Sequence, residues 1–188
     1  MDVSAVRFGA PRDWRAMKFA NIKEPCRWQL PVAEVLYGIR DEPGEKPSLE
    51  LGAGPEAEAF LSRLDDHIQS TVMRASVVWF EREATEEVVR ATHFRALRDN
   101  QSYRVKLCWA GKWTDSRLWV YRGDEDGCER GEPRLCDDWS RVAPGRRVLP
   151  VVRPSALWFS NKQFGLSLQA TDLLLVPPWM EEGALPPG

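Results

Sequence analysis

The chain has 188 residues, 43% of them hydrophobic and 29% charged, which suits one domain with its own core and is too apolar for a disordered chain. A net charge of −2 and a pI near 5.8 speak against indiscriminate polyanion binding, which usually rests on a basic surface. No apolar run approaches the roughly 20 residues that cross a bilayer, and the first residues, MDVSAVRFGAPRDWR, lack a basic start followed by an apolar stretch. The expectation is a soluble, intracellular protein with no membrane partner.

In chain order, VSAVRF near the start alternates like a strand, and Trp28 to Ile39 is a stronger strand candidate whose proline suits an edge or a bulge. RDEPGEKP is a turn, SLELG a short strand, and GAGP closes it. From Pro55 the period changes: Ala57, Phe60, Leu61, Leu64, Ile68, Val72, Ala75 and Trp79 recur at helical spacing, with Glu56 and Glu58 in the first turn. Thr85 to His93 opens with a capping residue and acids and predicts a second, short helix. Strands resume at 102–110 and 116–122, joined by AGKWTD with hairpin character, before the acidic loop GDEDGCERGEPRLCDD. After the turn VAPGRR come VLPVVRPSALWFS and LSLQATDLLLV, two further strands, and then PPWMEEGALPPG. This order predicts a mainly β fold with an inserted helix, an OB-fold-like antiparallel Greek-key barrel, with an α+β sandwich as the alternative. One domain is expected over residues 1–176, with the helical insertion at about 55–93 and a flexible tail at 177–188.

Catalytic and metal chemistry find little support. Cys26, Cys108, Cys128 and Cys136 are irregularly spaced and expected as free thiols, and His67 and His93 fall on different predicted helices, so no zinc site is expected. The acidic loop lacks the ligand spacing of a calcium loop, and no GxxxxGK[ST] is present. Adjacent carboxylates such as Asp65 and Asp66 point to different faces of a helix. No cofactor and no enzyme activity are expected, although a hydrolase with an unrecognised residue set remains a third reading.

Charge is unevenly distributed. Residues 90–122 hold eight Lys or Arg against two acids, residues 123–140 two against seven, and residues 141–162 five against none. The basic blocks interleave with aromatics, the combination with which single-strand binders follow a backbone and stack on bases. Candidate binding residues are Arg104, Lys106, Lys112, Trp113, Arg117, Trp119 and Tyr121, then Arg146, Arg147, Arg153, Trp158 and Lys162. Strand alternation puts Tyr103, Val105, Leu107 and Trp109 on one face and Arg104, Lys106 and Cys108 on the other, and separates Leu118 and Val120 from Arg117, Trp119 and Tyr121. The competing reading of the same pattern is a solvated sheet face with aromatic cross-strand pairs. Most of the nine tryptophans are expected to fill the core or sheet faces.

The segment VLPVVRPSALWFSNKQFGLSLQATDLLL, taken with SYRVKLCW and with LDDHIQSTVMRASVVWF in the long helix, resembles the single-stranded-DNA-binding-like proteins of large DNA viruses of algae and protists. Trp158, Phe159, Phe164 and Gly165 match the late motif of that family, and the likeness spans about residues 28–176. It implies an OB-fold of the phage replicative single-strand-binder type, coating of exposed strands in replication or recombination, and a nuclear or viral replication site. Replication proteins are implied partners through an acidic tail, but Glu181 and Glu182 are the only acids of this tail. Phe164 is expected to pack, and Gly165 to permit a bend or bulge. The ligand expected is single-stranded DNA, with RNA open; the oligomeric state is open, a homodimer included. The main rival is a protein-interaction module on the same scaffold.

Overall fold

The computed structural model describes residues 1–108, 116–121 and 132–177. Its strands are β1 (Arg12–Trp14), β2 (Met17–Asn21), β3 (Trp28–Gln29), β4 (Ala33–Arg40), β5 (Ser48–Gly52), β6 (His93–Phe94), β7 (Ser102–Lys106), β8 (Arg117–Val120), β9 (Arg134–Cys136), β10 (Arg147–Ser160) and β11 (Gln163–Leu175). Two α-helices, α1 (Pro55–Phe80) and α2 (Glu86–Thr92), lie between β5 and β6. The protein is mainly β with two helices.

The β10–β11 hairpin organises the sheet. Its turn is Asn161–Lys162, both at positive φ, as a two-residue turn matched to strand twist requires. Along one edge β10 pairs in succession with β4, β3 and β2, while β11 carries β8, β7 and β6 in parallel along its other edge. Since β4 pairs with β5 and β5 with β7, the path β10–β4–β5–β7–β11 returns to β10. Register shifts in β10 between Val151 and Val152 and between Pro154 and Ala156 mark where the ribbon bends.

The core collects the inward residues of this ring with one stripe of α1. Phe60, Leu61, Leu64 and Ile68 are fully buried with Leu49, Leu51, Val105, Leu157 and Leu173, and Trp28 meets Phe60 edge to face at 5.1 Å. Pro55 and two acids start α1, and Glu81 ends it in the left-handed conformation, its N–H on the Val77 carbonyl. Thr85 caps α2 by accepting the Val88 N–H.

Both helices and β5 fall where expected, and so do the two late strands except that β11 begins at Gln163, inside the expected connection NKQFG; the other expectations need correction. VSAVRF forms no strand; Val6 and Phe8 are buried, and Phe8 makes an isolated bridge to Ile22. The stretch Trp28 to Ile39 is two strands, β3 and β4, because Pro31 cannot donate to a ladder. β7 and β8 are not paired as a hairpin; both run along β11, and the chain returns after residues 109–115 through a Ser116 N–H to Cys108 carbonyl bond of 2.5 Å. Those parallel pairings also correct the purely antiparallel expectation. Part of the acidic stretch, Arg134–Cys136, is a strand on β8. Cys26, Cys108 and Cys136 are free thiols; Cys128 and the tail from 178 onward lie outside the described residues.

Candidate nucleic-acid interface

Alternation sorts the predicted cations as expected. Tyr103, Val105 and Leu107 are fully buried, and Leu118 and Val120 face inward, leaving Arg104, Lys106, Arg117 and Trp119 on the outer side of β7 and β8. Register sets Lys106 beside Gln169 and Gln169 beside Arg153, whose Nη2 donates to the Gln169 side-chain oxygen at 3.0 Å. Farther along β11, Arg117 and the Trp119 indole N–H both reach Asp172 Oδ1, at 2.7 and 2.9 Å. The Arg117 guanidinium also lies 5.4 Å from the Trp119 ring centroid, so one carboxylate holds a cation and a ring together.

A row of aromatic rings crosses the strands. Phe19 on β2 pairs with Trp158 on β10, Trp158 with Gly165 on β11, and Gly165 with Phe94 on β6. Trp14 meets Phe19 at 5.7 Å and Phe94 meets Trp158 at 5.9 Å between centroids. Trp14 and Phe94 are 56% and 47% exposed, unusual for rings whose burial would release apolar area from water. Arg15 lies over Trp14 at 4.7 Å. Gly165 is not a bend: a methyl built on it would stand 2.8 Å from both the Phe94 carbonyl oxygen and Trp158 Cζ2, so glycine here lets ring and backbone approach.

Between Phe94 and Trp158 opens a cavity of about 210 Å³ into which Arg95, Arg98, Arg104 and Lys106 converge, with no carboxylate in its lining. The compensating acids are buried behind it. Glu50 is only 7% exposed, receives the Ser102 hydroxyl, and pairs with Arg98 at 3.1 Å and Arg104 at 3.3 Å. Arg104 is therefore tethered rather than free. Burial, then the neighbouring Lys46 and Arg104 charges, push the Lys106 ammonium below the usual lysine range.

The strip that carries Phe94 and Arg95 is fastened from α1. Asp65, fully buried, accepts the N–H groups of Ala96 and Leu97 at 2.8 and 3.3 Å, and its carboxylate lies 3.7 Å from Arg95 and 3.6 Å from His93. Burial raises its pKa to about 6 against the opposing pull of those N–H groups. His93, stacked on Phe164 at 4.9 Å and 3.0 Å from the Gln69 amide nitrogen, is lowered to about 4, first by burial and then by Arg95.

Of the residues singled out by sequence, Arg104, Lys106, Arg117, Trp119, Arg153 and Trp158 share this outer face, and Tyr121 follows Trp119 by alternation. Arg147, with Arg146 before it, stands where β10 meets β4, and Lys162 sits in the hairpin turn at the opposite end of β10. The fold does not bring these three together. Trp109, Lys112 and Trp113 lie outside the described residues. Sequence reasoning missed Trp14, Phe19, Phe94, Arg95 and Arg98. The run His-Phe-Arg-Ala-Leu-Arg at 93–98 does carry an aromatic-basic signal, but β6 has two residues and shows no period. Among the described residues no group of three or more His, Cys, Asp or Glu is placed to hold a metal ion, and no helix is long and apolar enough to cross a membrane.

No family model matches the chain, and no curated protein matches it. Among solved structures, it is similar to the single-stranded DNA-binding protein from bacteriophage Enc34. The C-terminally truncated form has a TM-score of 0.48 and 9% identity, covering 91% of this chain and 95% of that one. The longer form has 0.47 and 12%, covering 96% of each chain. The form in complex with ssDNA has 0.44 and 12%, covering 95% and 98%.

Proposed function

We propose that the protein is a non-catalytic binder of single-stranded nucleic acid, DNA in preference to RNA, that holds the strand on the outer face of β7, β11 and β10 and across the Trp14–Phe94 row. The observation that carries this is the cavity in which two rings, Phe94 and Trp158, stand among four cations with no acid in its lining. Cations that follow phosphates beside exposed stacking planes are the two components of sequence-tolerant single-strand binding. The acidic overall balance does not oppose it. Glu50, Asp65 and Asp172 each lie against cations of the face, and the first two are buried.

On this reading the closed path β4–β5–β7–β11–β10 is a small barrel of OB type, with β7 parallel to β11 and the helices inserted between its second and third strands. Residues 1–176 act as one binding domain. From Gly165 to Asp172 the face runs about 23 Å at roughly 3.3 Å per residue, room for about four nucleotides, the low end for such folds. Coating of exposed strands in replication or recombination is the role this chemistry suits.

Fluorescence anisotropy of a labelled oligothymidine over a salt series, with tryptophan quenching followed in the same titration, tests the proposal. Six cations on the face offset by three carboxylates imply a slope of log K against log salt between about −2 and −4. Absence of binding at low salt, or equal affinity for duplex, overturns it.

A further inference from the structure

A larger cavity, of about 820 Å³, lies on the opposite side of the β10–β11 ribbon. Phe159 and Phe164, a register pair, face it, whereas their neighbours Trp158 and Gly165 face the interface. The end of α1, α2, the β1–β2 turn and the Asn161–Lys162 turn frame it. Its floor is apolar, built from Val72, Phe80, Val89, Phe159 and Phe164, with Phe80 and Phe159 edge to face at 5.2 Å. Val88 in its wall is 53% exposed.

The rim is cationic. Arg15, Lys18, Arg82 and Lys162 surround the opening; Lys18 is occupied by Asp13 at 2.8 Å, and Glu83 is the other carboxylate of the lining. No ion pair engages Arg82 or Lys162 among the described residues. The threonine hydroxyls nearby are used inside α2: Thr85 accepts the Val88 N–H, and Thr92 donates to the Val88 carbonyl. The other uncharged polar residues of the lining, Ser160, Asn161 and Gln163, belong to or flank the β10–β11 turn, so the floor itself is apolar, unlike a site for a small polar substrate. Phe80 meets Phe159 edge to face, whereas Phe159 and Phe164 stack at 5.9 Å.

We propose that this groove docks a short acidic peptide segment of a partner protein, its large apolar side chains entering the floor and its carboxylates meeting Arg82 and Lys162. An apolar anchor removes the exposed floor from water, and with Arg15 held over Trp14 the two rim cations that no ion pair engages, Arg82 and Lys162, outweigh Glu83 and select a negative flank. Because groove and strand-binding face occupy opposite sides of one ribbon, peptide and nucleic acid can be held together. This also gives Lys162 a different use from the one its sequence context suggested.

The test is anisotropy of a fluorescein-labelled probe peptide, Glu-Glu-Trp-Glu-Glu-Leu-Phe-Glu, with the full chain, alone and with saturating oligothymidine. The expected result is a Kd in the range of about 1 to 100 μM, unchanged by oligothymidine, and weakened about tenfold or more by Arg82→Glu and by Val88→Asp while oligothymidine binding stays intact. Both positions are exposed, and a melting curve checks that each variant is folded. The same peptide with lysine for every glutamate should not bind. No binding at low salt overturns the proposal, as does binding that oligothymidine displaces, which assigns the peptide to the cations of the strand-binding face. Self-association abolished by Val88→Asp would also overturn it, by showing that another copy fills the groove. Loss of oligothymidine binding with peptide binding retained would sink the nucleic-acid reading and leave this one standing.

Discussion

Gly165→Ala places one methyl group beneath the Phe94–Trp158 pair without changing any charge. The added carbon would lie 2.8 Å from a backbone oxygen and 2.8 and 3.1 Å from two atoms of the indole, so either the Trp158 ring tilts away or β6 is pushed off β11. Overpacking of this kind costs about 1 to 3 kcal/mol of stability. If the rings stack on bases at roughly 1 to 3 kcal/mol each, losing one stacked base weakens oligothymidine binding about 5- to 150-fold. The assay is the anisotropy salt series with a parallel urea melt. Affinity should fall while the slope of log K against log salt stays that of the wild type, because no cation has moved. A folded Gly165→Ala protein that binds with full affinity would refute the stacking role of this pair, and a lowered slope would mean that the methyl group acts through the cations instead.

Three further outcomes follow from the same geometry. Lys106→Met should lower the magnitude of the salt slope by about 0.7 and weaken binding to all sequences alike, which a comparison of oligothymidine with oligoadenosine checks. Glu50→Gln keeps an acceptor for Ser102 but releases Arg98 and Arg104 from their carboxylate; it should tighten low-salt binding several-fold, steepen the slope and cost about 1 to 3 kcal/mol in a denaturation curve. Asp65 and His93 oppose one another in pH dependence. A carboxyl raised to about 6 contributes stability present below its ordinary value of 3.8 and lost as pH rises through about 6, whereas an imidazole lowered to about 4 contributes stability present above 6.5 and lost as pH falls through about 4. Asp65→Asn removes the first, so the variant's melting temperature should fall toward acid more steeply than the wild type's between about pH 6.5 and 4. Parallel curves would show that Asp65 does not titrate there.

The strong periods were legible along the chain. The α1 stripe from Ala57 to Val72 is buried as its spacing predicts, and the alternation of Tyr103 to Leu107 and of Arg117 to Val120 separates core from outer face as read. The errors fall where a period is too short to register or where the partner is distant. Arg12–Trp14 has three residues and His93–Phe94 two, so neither shows alternation, yet Trp14 and Phe94 end the aromatic row. The hairpin expected between strands at 102–110 and 116–122 is not made by β7 and β8, because each pairs in parallel with β11, more than 50 residues farther along.

The residues by themselves determined what each segment buries and what it exposes, since burial follows side-chain chemistry and the two periods of the backbone. They also determined that the chain has cations and rings in alternation, and that nothing resembling a phosphate-cradling loop accompanies them. Which cations meet was decided only by the tertiary structure. Parallel pairing along β11 brings Lys106 and Phe94 to one cavity, while Lys162 and Arg147 are carried to opposite ends of β10. Register between distant strands depends on the whole sheet closing at once, and no local window of sequence contains that condition.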